Sequence, residues 1–309
     1  MTDMNKKRKK RWGKKYEDNR DWPAYNEGLV KVGEYLLDLE WVKGWYAELA
    51  HMNDGKVGAP YRFPKSLIEL QVLWHTKSIP YRMIEGMTRS LSKLGKLPSY
   101  NNYSTTNRRA NRLDYSLVPP DGQNLVLFSD GTGLQAVNGG EYLREKYGKK
   151  NRRWVQIVIL GDPNTKEPVH FEVHLSPESE TDSALRQMKH IIENGGNNID
   201  SFGGDGAFDN MDLWDFLRDN DIEPAIKPDK SAREDTDNEI RNRHAKERKK
   251  SYRNWARKHR YGMRWPATEG IFSAIKRIFG ETLRASSEIG MEKEASAKIW
   301  AYKRMRKYA

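Results

Sequence analysis

At about residue 122 the hydrophobic period of the chain changes, and that change restricts the fold more than any other feature. Residues 24–116 carry apolar side chains at helical spacing, most clearly in LVKVGEYLLDLEWVKGWYAEL and SLIELQVLWHT. From NLVLFSD onward the pattern turns to short apolar runs. RRWVQIVILGD and VHFEVHL are rich in Val and Ile and read as a hairpin joined by DPNTKEP. SALRQMKHIIEN reads as a helix ended by Gly195 and Gly196, IDSFGG as a strand, MDLWDFLRDN as a helix, and IEPAIKP as a strand ended by Pro228. ATEGIFSAIKRIFG and EKEASAKIWAYKRMRKY read as two C-terminal helices. The expectation is an α/β core, a mixed sheet flanked by helices, behind an N-terminal helical region.

Three segments follow from composition. Residues 1–20 hold the run KKRKKRWGKK and read as a basic flexible arm, either touching nucleic-acid backbone or serving as a solubilising tail. Residues 21–120 form the helical region. Within it, PYRMIEGMTRSLSKL begins at Pro80, a first-turn proline, and GKLPSYNNY breaks the pattern. STTNRRANRL then reads as a short helix capped by Ser104 or Thr105 and carrying Arg108, Arg109 and Arg112. Helix, turn and short basic helix fit a helix-turn-helix DNA reader; a plain helical bundle gives the same pattern. Residues 121–309 form the α/β core, interrupted at about 229–260 by a polar insertion. That insertion has few aliphatics and is expected outside the core.

The chain has no cysteine, which excludes disulfides, a thiolate zinc site and a cysteine nucleophile. No apolar run approaches the ~18 residues of a membrane span. No apolar stretch follows the basic N-terminus, so it does not read as a signal peptide. Ten Trp, eight Phe and fifteen Tyr argue against wholesale disorder. The net charge of +12 is unevenly spread: +9 over residues 1–120, −8 over 121–227 and +11 over 228–309. Basic flanks suit a polyanion, and an acidic centre suits divalent cations. A solvated, highly charged surface would show the same partition.

Within the acidic centre, Asp130 ends the first predicted strand. Asp205 ends another, beside Gly203, Gly204 and Gly206, small residues that let a ligand approach the backbone. Glu269 begins a helix. Two strand-end carboxylates and a helical one can converge on divalent ions that promote phosphoryl transfer. With 43 acids in the chain, surface charges remain the competing reading.

The order of elements matches the RNase H-like fold, and three ordered motifs strengthen the match. LVLFSDGTGL resembles the first-Asp motif of insertion-sequence DDE transposases, and GGDGAFDN resembles their second. YGMRWPATEGIFSAIKRIFG resembles their Tyr-x₂-Arg-x₃-Glu-x₆-Lys signature, with Tyr261, Arg264, Glu269 and Lys276 in the four places. YNNYSTTNRRANRL also resembles the segment of the insertion-sequence-five family that ends in a Thr-x-x-Arg-Arg helix. The resemblance covers residues 60–285. One spacing departs: four residues, not three, separate Arg264 and Glu269, and Pro266 is expected to begin the helix with the extra residue absorbed before it. Lys276 follows Glu269 by seven, so both share a helix face.

This resemblance implies that Asp130, Asp205 and Glu269 are catalytic metal ligands for two Mg²⁺ ions, with Mn²⁺ able to substitute. It implies DNA contacts from Tyr261, Arg264 and Lys276, and from Arg108, Arg109 and Arg112 on the reader helix. The implied reaction is cleavage of element-end DNA followed by strand transfer into target DNA. A homodimeric synaptic complex in a prokaryotic cytoplasm, associated with the nucleoid, is also implied. Rival readings are an RNase H-like nuclease that cuts without joining and a non-catalytic DNA-binding descendant of a transposase.

Other residues carry open alternatives. Asp209 is expected to cap a helix, and Thr132 and Gly133 to shape a turn after Asp130. His170 and His174 share a strand face and read as structural or DNA-facing, or as a metal pair. Trp265 reads as a base-stacking platform or as core. Lys227 beside Pro228 resembles a recurring Lys-Pro of the family, or is a solvated charge. Arg144, Lys146, Lys149, Lys150, Arg152 and Arg153 form a basic patch for DNA backbone or plain surface.

Overall fold

The computed structural model describes residues 21–120, 124–137, 154–195 and 198–308 of the 309-residue chain. Five helices come first: α1 (Trp22–Tyr35), α2 (Trp45–Asn53), α3 (Lys65–Thr76), α4 (Tyr81–Lys93) and α5 (Tyr103–Ala110). The long apolar run after residue 28 is not one helix. A 3-10 turn, Glu40–Gly44, separates α1 from α2, and the Asp38 carboxylate accepts the Glu40 N–H at 2.8 Å to start it. Pro80 stands just outside α4 as its N-cap residue, not in the first turn. Asn102, not Ser104 or Thr105, caps α5 by accepting the Thr105 N–H at 2.8 Å.

The rest of the chain runs β1 (Asn124–Ala136), β2 (Trp154–Asp162), β3 (Glu167–His174), α6 (Glu180–Gly195), β4 (Asn198–Gly204), α7 (Met211–Asp219), β5 (Glu223–Ile226), α8 (Glu239–Lys250), α9 (Tyr252–Lys258), the single turn α10 (Arg264–Ala267), α11 (Glu269–Phe279), β6 (Thr282–Leu283) and α12 (Glu288–Arg306). The strands form one mixed sheet in the order β3-β2-β1-β4-β5. β2 is antiparallel to both β1 and β3, whereas β4 and β5 run parallel to β1. This is the RNase H-like arrangement expected from the element order.

β1 does not end at Asp130. It continues because Asp130 to Gln135 pair antiparallel with Ile159 to Trp154 of β2. Thr132 and Gly133 therefore lie in strand, not in a turn. On the other edge of β1, pairing with β4 stops at Phe128↔Gly203, and β6 joins only at Gln135 and Ala136. Among the described residues, β1 thus has no neighbour on that edge from Ser129 to Leu134. The gap opens a notch at Asp130.

Both sheet faces are buried. Leu134, Ala136, Val155, Ile157 and Ile159 pack against α11 and α12, joined by Ile68, Val72 and Leu73 of α3. Leu125, Leu127, Leu160 and Val169 pack against α6 and α7 on the opposite face. Each buried Val, Leu or Ile side chain among them stabilises by roughly 1.5–3 kcal/mol. Through α3 the helical region shares one core with the sheet.

The polar insertion departs from expectation. α8 and α9 form a hairpin whose inner face is polar but buried, with Arg241, His244, Trp255 and His259 inside. Arg241 reaches Asp209 with two bonds, 2.7 and 2.9 Å. Asp209 consequently anchors the insertion through a buried ion pair. The cap of α7 is Asn210 instead. No helix among the described residues is long and apolar enough to cross a membrane.

Candidate active site

Parallel register places the two aspartates abreast. Phe128 on β1 pairs with Gly203 on β4, so Asp130 and Asp205 each lie two residues beyond the last pair. Asp205 is oriented by its own turn, since its Oδ1 accepts the Ala207 N–H at 2.8 Å. The flanking Gly203 and Gly204 do not open the backbone to a ligand. They face the rings of Phe128 and Phe208, which fill the space a side chain would take.

Glu269 arrives from the third motif. α10 and α11 are separated at Thr268, whose φ of −129° and ψ of −72° break the helix. Pro266 lies inside α10 and begins no helix; the extra residue of the motif is taken up in this two-step path. α10 sits directly on β2 at Gly161, where any Cβ would meet the Ala267 carbonyl oxygen at 1.8 Å. That contact sets the height of Glu269 above the sheet.

Arg264 bridges the first and third motifs. Its guanidinium donates to Asp130 Oδ2 at 3.2 Å and to Glu269 Oε1 at 2.6 Å. Thr268 Oγ1 lies 3.4 Å from the same Asp130 oxygen. A fourth acid, Glu180 at the start of α6, enters from the opposite face of β1. Its carboxyl fills the space over Gly131, where a Cβ would lie 2.0 Å from Oε1. Sequence reasoning missed Glu180 and Gly161. Neither has a local pattern, and each is defined by a partner distant in the chain.

The electrostatics follow from this crowding. Burial raises the Asp130 pKa; Arg264 and the Gly131 N–H pull it down, while Asp205 and Glu269 push it up further. Glu180 is also raised, by burial first and then by Asp130 and Asp205. Four carboxylates with one shared guanidinium form an oxygen-only donor set short of positive charge, which fits a hard divalent cation such as Mg²⁺ or Mn²⁺.

The notch widens into a cleft of about 560 Å³ between Asp130–Thr132 and one face of α11. Glu269, Ser273, Lys276 and Arg277 line it, so the seven-residue spacing of Glu269 and Lys276 does put both in one cleft. Tyr261 is half-buried 5.9 Å from the Arg264 guanidinium, and burial pushes its phenol up to about 12. Trp265 is 62% exposed beside Gly270, so it is not core. The Lys227 side chain passes close to Gly206 in the second motif.

Farther away, Arg108 and Arg112 are exposed on and just after α5. Arg109 turns inward instead, donating to the Phe63 carbonyl and stacking 4.9 Å over Tyr61. His170 and His174 face α6, within hydrogen-bond reach of Gln187 (3.2 Å) and Ser183 (3.3 Å). The basic arm and the patch from Arg144 to Arg153 lie outside the described residues.

Two family models match the chain. Both are described as a transposase DDE domain; one spans residues 121–303 and the other residues 31–139. No curated protein matches it.

Proposed function

The chain belongs to the DDE transposase family, and from that premise we propose that it cleaves DNA at the ends of a mobile element and joins the freed 3′ ends to target DNA. Members of the family generally use divalent metals and bind DNA. The observation that carries the finer reading is the convergence of Asp130, Asp205 and Glu269, from three separate elements, on one notch.

Asp130, Asp205 and Glu269 would hold Mg²⁺, with Glu180 adding a fourth carboxylate from behind β1. A cation held there would supply activation of the attacking water or 3′-hydroxyl and charge stabilisation at the leaving oxygen. The side chains do the rest. Ala207 fixes the Asp205 carboxylate, and Gly161 fixes the depth of Glu269. Arg264 holds Asp130 and Glu269 together, and its guanidinium is placed to meet a DNA phosphate beside them. Lys276, Ser273 and Arg277 track the backbone of the DNA along α11, with Tyr261 at the rim. Trp265 offers an exposed ring on which an unpaired base can stack. Arg108 and Arg112 meet the element end, while Arg109 holds their helix in place. Joining two ends calls for two copies of the chain, and the resemblance of its motifs to the insertion-sequence-five family supports that group within the DDE transposases.

The test is a cleavage and strand-transfer assay on element-end duplex with Mg²⁺. Asp130→Asn, Asp205→Asn and Glu269→Gln should each abolish both steps while leaving DNA affinity intact, because basic residues supply it. Wild-type cleavage by any of the three removes that residue from the ligand set. Cleavage without joining by the unaltered chain would reduce the protein to a nuclease.

A further inference from the structure

Two histidines under the α8–α9 hairpin take no part in the reaction above. His244 is fully buried. Its Nδ1 accepts the Trp255 indole N–H at 3.2 Å, and its Nε2 has no hydrogen-bond partner. His259, the C-cap of α9, is also buried, and its ring centre lies 3.9 Å from that of His244. His259 Nε2 is 2.7 Å from Glu247 Oε2, and its Nδ1 is 3.5 Å from Glu223 Oε1 at the start of β5.

This arrangement leaves one buried polar atom, His244 Nε2, without a partner. His259 lies between two carboxylates, with Nε2 toward Glu247 and Nδ1 toward Glu223. A carboxylate behind the distal N–H is the common support of a metal-bound imidazole.

We propose that Glu223, His244 and His259 form a binding site for one zinc-class divalent cation, with Glu247 orienting His259. The candidate ligand atoms all lie within 4.8 Å of one another. Tetrahedral zinc, with bonds of ~2.0–2.1 Å, sets its ligand atoms ~3.4 Å apart. His259 and Glu223 already stand at 3.5 Å, and the Glu223 side chain is 60% exposed. Coordination through His244 Nε2 moves the ring proton to Nδ1 and exchanges the long indole bond for a metal–nitrogen bond. Two imidazoles and one carboxylate select zinc over Mg²⁺, which prefers oxygen. The ion would tie β5, α8 and the end of α9 together five residues before Arg264. It would thereby fix the start of the third motif. This site is independent of the carboxylate cleft and of the reaction assigned to it.

The test uses the full-length chain, stripped with chelator, titrated with Zn²⁺ by calorimetry in excess Mg²⁺, and then with Co²⁺ followed by visible absorption. One equivalent should bind at roughly micromolar Kd or tighter. Binding should persist in Asp205→Asn, which disables only the carboxylate cleft. It should weaken more than about tenfold in Glu223→Gln and in Glu247→Gln. Glu223 is exposed, so its variant keeps the fold, checked by circular dichroism. Zinc uptake that is absent from the folded wild type, unchanged in Glu223→Gln, or lost in Asp205→Asn would overturn the proposal.

Discussion

Gly161→Ala tests whether the depth of the third motif over the sheet governs catalysis. A methyl at this β2 position would stand 1.8 Å from the Ala267 carbonyl oxygen and 2.9 Å from its carbon. Both are backbone atoms, so no rotamer change relieves the clash. To restore even a 3.0 Å approach, α10 must retreat by about 1.2 Å. Ala267 precedes Glu269 by two residues, and the Thr268 N–H is bonded to the Arg264 carbonyl at 3.0 Å, so Glu269 and Arg264 move with the turn. Overpacking of this kind costs about 1–3 kcal/mol, which a domain stable by roughly 5–15 kcal/mol survives. Misplacing a catalytic group by about 1 Å costs on the order of 100-fold in rate. That corresponds to about 2.7 kcal/mol in the barrier. Single-turnover cleavage of labelled element-end DNA in Mg²⁺, at saturating DNA, should therefore slow by about 100-fold. DNA affinity in EDTA should change little, because the basic groups are untouched. A folded Gly161→Ala protein that cleaves at near wild-type rate would refute the link between Gly161 and Glu269.

Glu180→Gln should raise the melting temperature in EDTA at neutral pH, by a stability of on the order of 1 kcal/mol, and shrink the further rise produced by Mg²⁺. The sign follows from Asp130 and Glu180 being raised in the folded state: their contribution to stability is present at low pH and lost as pH rises through the folded values. The gain should accordingly fade toward about pH 4, where the unfolded carboxyls also hold their protons. Arg241→Ala should destabilise by about 3–5 kcal/mol in urea melts, because it leaves Asp209 buried without its cation. Arg109→Ala should cost about 1–2 kcal/mol of stability through the Phe63 and Tyr61 contacts. Arg108→Ala and Arg112→Ala should instead leave stability alone, weaken end binding, and each reduce the salt slope by about 1.

The parts of the fold that sequence revealed are those encoded by local period. The hairpin and the helices after it follow from runs such as VQIVIL and SALRQMKHII, because a buried face must recur every two or 3.6 residues wherever the chain goes, whereas the mixed sheet follows from the match of element order to the RNase H-like fold. The boundaries that failed did so for equally local reasons. Asp38 starts the 3-10 turn that follows α1 with a side-chain bond that hydrophobicity does not register. β1 runs past Asp130 because β2 supplies partners for a segment, GTGLQA, that has little strand character of its own.

At the site, the acids within motifs were legible and those outside were not. Asp130, Asp205 and Glu269 each stand in a string of neighbours, whereas Glu180 is recognisable only once α6 is known to end over Gly131. The same holds for the polar insertion. Its shortage of aliphatics is a true statement about composition, but Arg241 is buried against Asp209, and His244 and His259 each find a partner for one ring nitrogen, in Trp255 and Glu247. A polar segment becomes interior when its partners lie elsewhere in the chain, and composition records no partners. Gly161 is the limiting case. It has no side chain to read, yet by having none it admits the Ala267 carbonyl, two residues before Glu269, directly onto the sheet.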